Sequence, residues 1–174
     1  MTGFLSTPFL PNVRRKVFVS YHHAGDQSYY DFLATYCGQY LELFSDRSLG
    51  EPVRSRDPEY VNRAIREDYI VGSSVTIVLC GYDTSGRKYV DWEIRSTLHH
   101  RHGLLGVILP TIRRDQLGRA IIPDRLNANK YYAHFIDWTY DHEAWKQGIA
   151  TAYDRSQNLA WIIDNSLPKM TRNA

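Results

Sequence analysis

The segment SVTIVLC, residues 74–80, constrains this chain more than any other. It is apolar without alternation and shorter than an ordinary helix, so it reads as a strand buried on both faces. LLGVILP, residues 104–110, has the same character. Strands covered on both sides belong to parallel sheets, whose crossovers lay helices above and below. KVFVSY (16–21), YLELF (40–44) and AHFIDW (133–138) supply three further short strands. The stretches between them carry helical spacing. Asp26 is placed to cap a helix reaching about Gly38, with Tyr29, Phe32, Leu33 and Tyr36 as its apolar stripe. EYVNRAIREDYI repeats Val61, Ile65 and Tyr69 at intervals of four, and YVDWEIRSTLHHRHG ends at Gly103 as its expected cap. HEAWKQGIATAYDRSQNLAWIID reads as one closing helix, with Trp145, Ile149, Ala152, Ala160 and Ile163 near one face.

The expected fold is therefore α/β, a single doubly wound, flavodoxin-like sheet of five parallel strands in the order 2-1-3-4-5. Residues 1–15 are expected to form an arm, 16–165 the domain, and 166–174 a tail that frays. The 45–58 segment, with Gly50 and two prolines, is expected to be a long loop, and so is the stretch of about twenty residues after Pro110.

Composition narrows the function classes. With 174 residues, 43% hydrophobic and 23% charged, the chain suits one globular domain. A formal charge of +2 gives no electrostatic reason to expect nucleic acid or an anionic membrane as partner. No apolar run approaches membrane-spanning length, and the N-terminus lacks the order of a secretory signal. Cys37 and Cys80 lie far apart in apolar segments and read as reduced, buried thiols, which places the chain in the cytoplasm. The HHRH run at 99–102 has no accompanying Cys or carboxylate cluster, so it reads as a helix end and no metal is expected.

Ligands of doubly wound sheets bind beyond the carboxyl ends of strands, where the strand order reverses. In this chain that crevice lies between the loops after Tyr21 and Cys80, beside the 45–58 segment. Tyr89 and Glu93, four residues apart, share a helical face there, near the helix start that favours an ionised carboxylate. Such a carboxylate can stabilise positive charge on a ribose during glycosidic cleavage, with the aromatic stacking on the departing base. From spacing alone, a solvated glutamate and a packing tyrosine is the favoured reading of the same pair. Ser20, Tyr21, His22 and His23 close the first strand at this crevice, and Ser85 sits in the loop that leads to the Tyr89 helix. Hydroxyl and imidazole groups there suit ribose or pyrophosphate, or are ordinary loop residues. Arg47, Arg54 and Arg56 either meet phosphates or solubilise their loop.

Several motifs together resemble TIR domains. VFVSY with its polar loop resembles their first-strand box, and LFSDRSLGEPV the strand and loop after it. GYDTSGRKYVDWEI is similar to the signature in which an aromatic precedes the catalytic glutamate by four residues. SVTIVLCGYDTSGRKYVDWEIRSTL resembles the bacterial TIR-like family that includes the NAD-using sensor subunit of Thoeris anti-phage systems. The resemblance spans about residues 15–165 and implies an NAD glycohydrolase or cyclase. Such an enzyme takes NAD as substrate, needs no separate cofactor, and makes an ADP-ribose-derived signal, expected to be cyclic. It further implies self-association on activation, a phage-derived trigger, and a separate effector that responds to the product. By position Glu93 takes the catalytic role, and Tyr89 stands where the usual tryptophan would be. Tyr21, His22 and His23 fall at the pocket lining, with the histidines standing where some relatives carry arginines, and Asp46 falls at the acidic position of the following loop.

A non-enzymatic TIR-like adaptor or nucleotide-sensing interaction domain is the rival reading. A phosphoacceptor receiver wants acidic residues after the first strand, where this chain has SYHH, and AGDQS is a poor flavodoxin phosphate loop. No GxGxxG or GKS/T motif occurs.

Overall fold

The structure is a computed structural model that describes residues 15–38, 41–44 and 66–174. The 45–58 segment, with Asp46 and its three arginines, lies outside those residues, as does most of the expected N-terminal arm. Five strands are described: β1 (Arg15–Ser20), β2 (Leu41–Phe44), β3 (Val75–Cys80), β4 (Gly103–Ile108) and β5 (His134–Asp137). They pair in parallel in the order β2-β1-β3-β4-β5. The helices are α1 (His23–Cys37), α2 (helical over 66–72), α3 (Lys88–His99), α4 (Asp124–Ala128) and α5 (His142–Asn158).

Every residue of β3 is buried, and the reason is visible in the two cores. Ile77 and Leu79 face a core with Leu33 of α1 and Trp145, Ile149 and Ala152 of α5. Val78 and Cys80 point the other way, to Val90, Ile94 and Leu98 of α3 and Leu126 of α4. Alternate residues of one strand thus serve opposite helical layers, which is why the run lacks polar alternation. Cys37 and Cys80 are both free and buried, and burial pushes their thiols up to about 11 and about 12. They stay protonated at neutral pH and unreactive.

Five expectations are corrected. Asp26 does not cap α1; His22 is the N-cap, and Asp26 lies buried in the first helical turn, where it accepts a hydrogen bond from Thr84 Oγ1 at 3.1 Å. Gly103 does not cap α3 but opens β4; the residue at positive φ after the helix is Arg101. The stretch after Pro110 contains α4 and an antiparallel bridge between Arg114 and Ala120. The last helix ends at Asn158, a separate 3-10 turn covers Ala160–Ile162, and the tail that follows is bound to the domain instead of fraying.

Gly103 is small because a Cβ there would stand 2.8 Å from the Ala152 carbonyl oxygen, where α5 crosses β4. Gly103→Ala is therefore expected to cost about 1–3 kcal/mol through overpacking against backbone that cannot swing aside. Urea denaturation measures it; a cap role would instead leave the β4–α5 contact untouched.

Candidate active site

The crevice opens at the carboxyl ends of β1 and β3. It encloses about 280 Å³ and is lined by Tyr21, His22, His23, Tyr89 and Glu93, with Arg66, Arg87 and Asn173 around them. Ser20 is the last residue of β1 and is almost fully buried. Its Oγ donates to Glu93 Oε2 at 2.5 Å, joining the first strand to the α3 carboxylate across 73 positions of sequence. Glu93 is itself only 5% exposed, so it is not the solvated residue that its position near a helix start permits.

One further contact reaches that carboxylate, and two others anchor the α3 backbone that carries it. Arg66 of α2 places Nε 3.4 Å from Oε1. The Glu93 carbonyl accepts from Thr97 Oγ1 at 2.8 Å, and Thr97 in turn meets Thr76 of β3 at 2.7 Å. A buried carboxylate costs several kcal/mol unless charge and hydrogen bonds compensate it. Ser20 and Arg66 provide that compensation.

Tyr89 is half-buried one turn earlier on α3, and the Arg66 guanidinium carbon lies 4.3 Å above its ring centroid. Trp92 meets the same tyrosine edge-on at 5.3 Å. An incoming planar ring that stacks on the Arg66 side must take the place of the guanidinium, which also sits on Glu93. On the opposite wall, Tyr21 stacks on Tyr30 at 4.9 Å and donates its hydroxyl to Gln27. His23 lies 4.2 Å from the Tyr21 ring. Burial, then the Arg87 guanidinium, lowers the pKa of His22, so its imidazole is neutral at pH 7 and can donate or accept.

The structure thus gathers Ser20, Tyr21, His22, His23, Tyr89 and Glu93 at one place. Ser20 reaches it through Glu93, as a positioning hydroxyl. Ser85 lines a different cavity, beside Asp91 and the chain's last residues. Asp46 lies outside the described residues. Arg66, Arg87 and Asn173 were not legible as crevice residues in the sequence. Arg87 directly precedes α3 and is the easiest to recover; nothing local marks Arg66 or Asn173. Among the described residues, no group of three or more His, Cys, Asp or Glu could hold a metal ion. No helix among them is long and apolar enough to cross a membrane.

No curated protein sequence matches the chain. Among solved structures it is similar to a 2-deoxyribosyltransferase from Bacillus psychrosaccharolyticus, at 14% identity, covering 74% of this chain and 94% of that one, with TM-score 0.51. This likeness shows a shared fold. It is also similar to a conserved protein from Enterococcus faecalis V583, at 10% identity, covering 89% and 100%, with TM-score 0.47. The TIR domains of the activated Roq1 resistosome align at 11% identity, covering 87% and 93%, with TM-score 0.45. A family model matches residues 18–114, which hold the end of β1, all of β3 and α3, and the crevice carboxylate. The chain belongs to the family described as Thoeris protein ThsB, TIR-like domain.

Proposed function

We propose that this chain cleaves NAD at the bond between nicotinamide and ribose and forms an ADP-ribose-derived, cyclic signal in anti-phage defence. The observation that carries this reading is Glu93, a buried carboxylate at the crevice, oriented by Ser20 and one helical turn from Tyr89. In the reaction the C1′–N bond breaks and its electron pair leaves with nicotinamide, which departs neutral. The positive charge that develops on the ribose faces Glu93, and a ring nitrogen of the same molecule then closes on C1′ to give the cyclic product; water attacking instead, with its proton released to solvent, gives linear ADP-ribose. Electrostatic stabilisation of this kind is worth several kcal/mol when the charged group is held in advance.

The Arg66 contact bears on how the site begins. While the guanidinium pairs with Glu93, it competes with the ribosyl cation for the same charge. Activation therefore includes moving Arg66 off Tyr89 and Glu93. Self-association, a phage-derived trigger and an effector that reads the product complete the proposal, which needs no cofactor besides the NAD substrate.

Nicotinamide release from NAD under activating conditions tests the reading. Tyr89→Ala is expected to raise KM about fivefold while lowering kcat less, because stacking positions the ring without stabilising the cation; aromatic stacking contributes about 1 kcal/mol. Equal effects on kcat and kcat/KM, with KM unchanged, would contradict that role.

A further inference from the structure

Residues 164–174 lie outside the 18–114 segment that carries the family match, yet they are fastened to the helix that bears Glu93. The fastening starts at Arg125, whose side chain is fully buried. All five donors of its guanidinium fork are used. Two go to the Asp91 carboxylate, at 2.7 and 3.3 Å. The other three go to Asn165 Oδ1, the Leu167 carbonyl and the Pro168 carbonyl, each at 3.0 Å.

Beyond Pro168 the segment runs along the first turns of α3. The Met170 amide donates to Asp91 Oδ2 at 3.0 Å, and the Trp92 indole donates to the Met170 carbonyl at 2.8 Å. Asn173 Oδ1 accepts from the Lys88 amide at 3.0 Å, one of the helix-start donors that no turn of α3 can satisfy. Ala174 closes the run by donating to the Gly86 carbonyl at 2.9 Å. Gly86 is bare for this reason: a Cβ there would stand 2.7 Å from the Ala174 carbonyl oxygen.

We propose that this strap is a working part of the crevice, fixing the first turn of α3 and supplying Asn173 as a substrate-binding residue for the dinucleotide. The identity of the ligand rests on the NAD reading above. With Oδ1 committed to Lys88, the group Asn173 brings to the crevice is its Nδ2 amide, a neutral donor beside Tyr89 and Glu93. Such a donor suits a hydroxyl, carboxamide or phosphate oxygen of NAD.

Two full-length variants separate the two roles, each made in a Glu93→Gln background so that NAD stays intact. Asn173→Ala removes both acceptor and donor. Asn173→Asp keeps an acceptor for Lys88 but has no amide to donate. Calorimetric titration with NAD is expected to show about five- to tenfold weaker binding in both, the worth of one hydrogen bond. Hydrogen exchange of the amides of residues 88–93 is expected to quicken in Asn173→Ala and to stay at parental rates in Asn173→Asp. Equal NAD affinity in parent and both variants would overturn the binding role. Unchanged exchange in Asn173→Ala would overturn the positioning role. If the parent binds no NAD under the activating conditions in which wild-type protein releases nicotinamide, the donor assignment falls alone; if wild type releases none either, the NAD reading falls with it, and exchange alone decides whether the strap sets α3.

Discussion

Glu93→Gln is expected to lower the rate of nicotinamide release by about 10²-fold or more while leaving the protein folded. Glutamine has the same shape and can still accept the Ser20 hydroxyl through its amide oxygen, so the link between β1 and α3 is kept. It cannot offer a negative charge to a ribosyl cation, and it loses the ion pair with Arg66. Because the side chain is buried, some stability is lost with that pair, and circular dichroism must accompany the rate. An interaction made only in the transition state is removed, so kcat and kcat/KM should fall together. Equal turnover by folded wild type and folded Glu93→Gln would mean that the charge at this position does no chemistry.

Arg125→Met should be the most damaging single change outside the crevice. It leaves the Asp91 carboxylate buried with the Met170 amide as its remaining named partner, and it releases three acceptors of the strap at once. Breaking a buried ion pair by removing one member costs about 3–5 kcal/mol. That is a large fraction of the 5–15 kcal/mol typical of a domain's whole stability. Urea denaturation measures the difference directly, and a loss below about 1 kcal/mol would show that the pair and strap contribute little. Asn173→Ala, which touches the strap only at its far end, should cost much less than Arg125→Met.

What could be read from the sequence, and what could not, divides along the range of the interactions. The β3 run was legible because burial on both faces forces continuous apolar residues, and Val75–Cys80 indeed divides its side chains between two cores. The Tyr89–Glu93 pair was legible because helical periodicity is local, and both residues line the crevice. Asp26 looked like a cap because short acidic residues at helix starts usually are; here the side chain turns inward toward Thr84, 58 positions away. Gly103 looked like a cap for a similar reason, but its smallness answers to Ala152 across the β4–α5 contact. The strap was illegible in principle. SLPKMTRNA has no apolar period, and what holds it is a set of backbone carbonyls and amides that meet Arg125, Asp91 and Trp92. Backbone groups leave no mark in sequence, so a segment fastened by them reads as a free end. α4 escaped notice because five residues are too few to show a helical stripe.

The central claim is that the Glu93 crevice breaks the bond between nicotinamide and ribose. Mass spectrometry of the small molecules formed when the activated protein is given NAD tests it most directly. The account predicts one equivalent of free nicotinamide for each equivalent of an ADP-ribose-derived product, with both absent from the Glu93→Gln reaction. NAD recovered intact from folded, activated wild-type protein would contradict it and leave the fold serving as an interaction module.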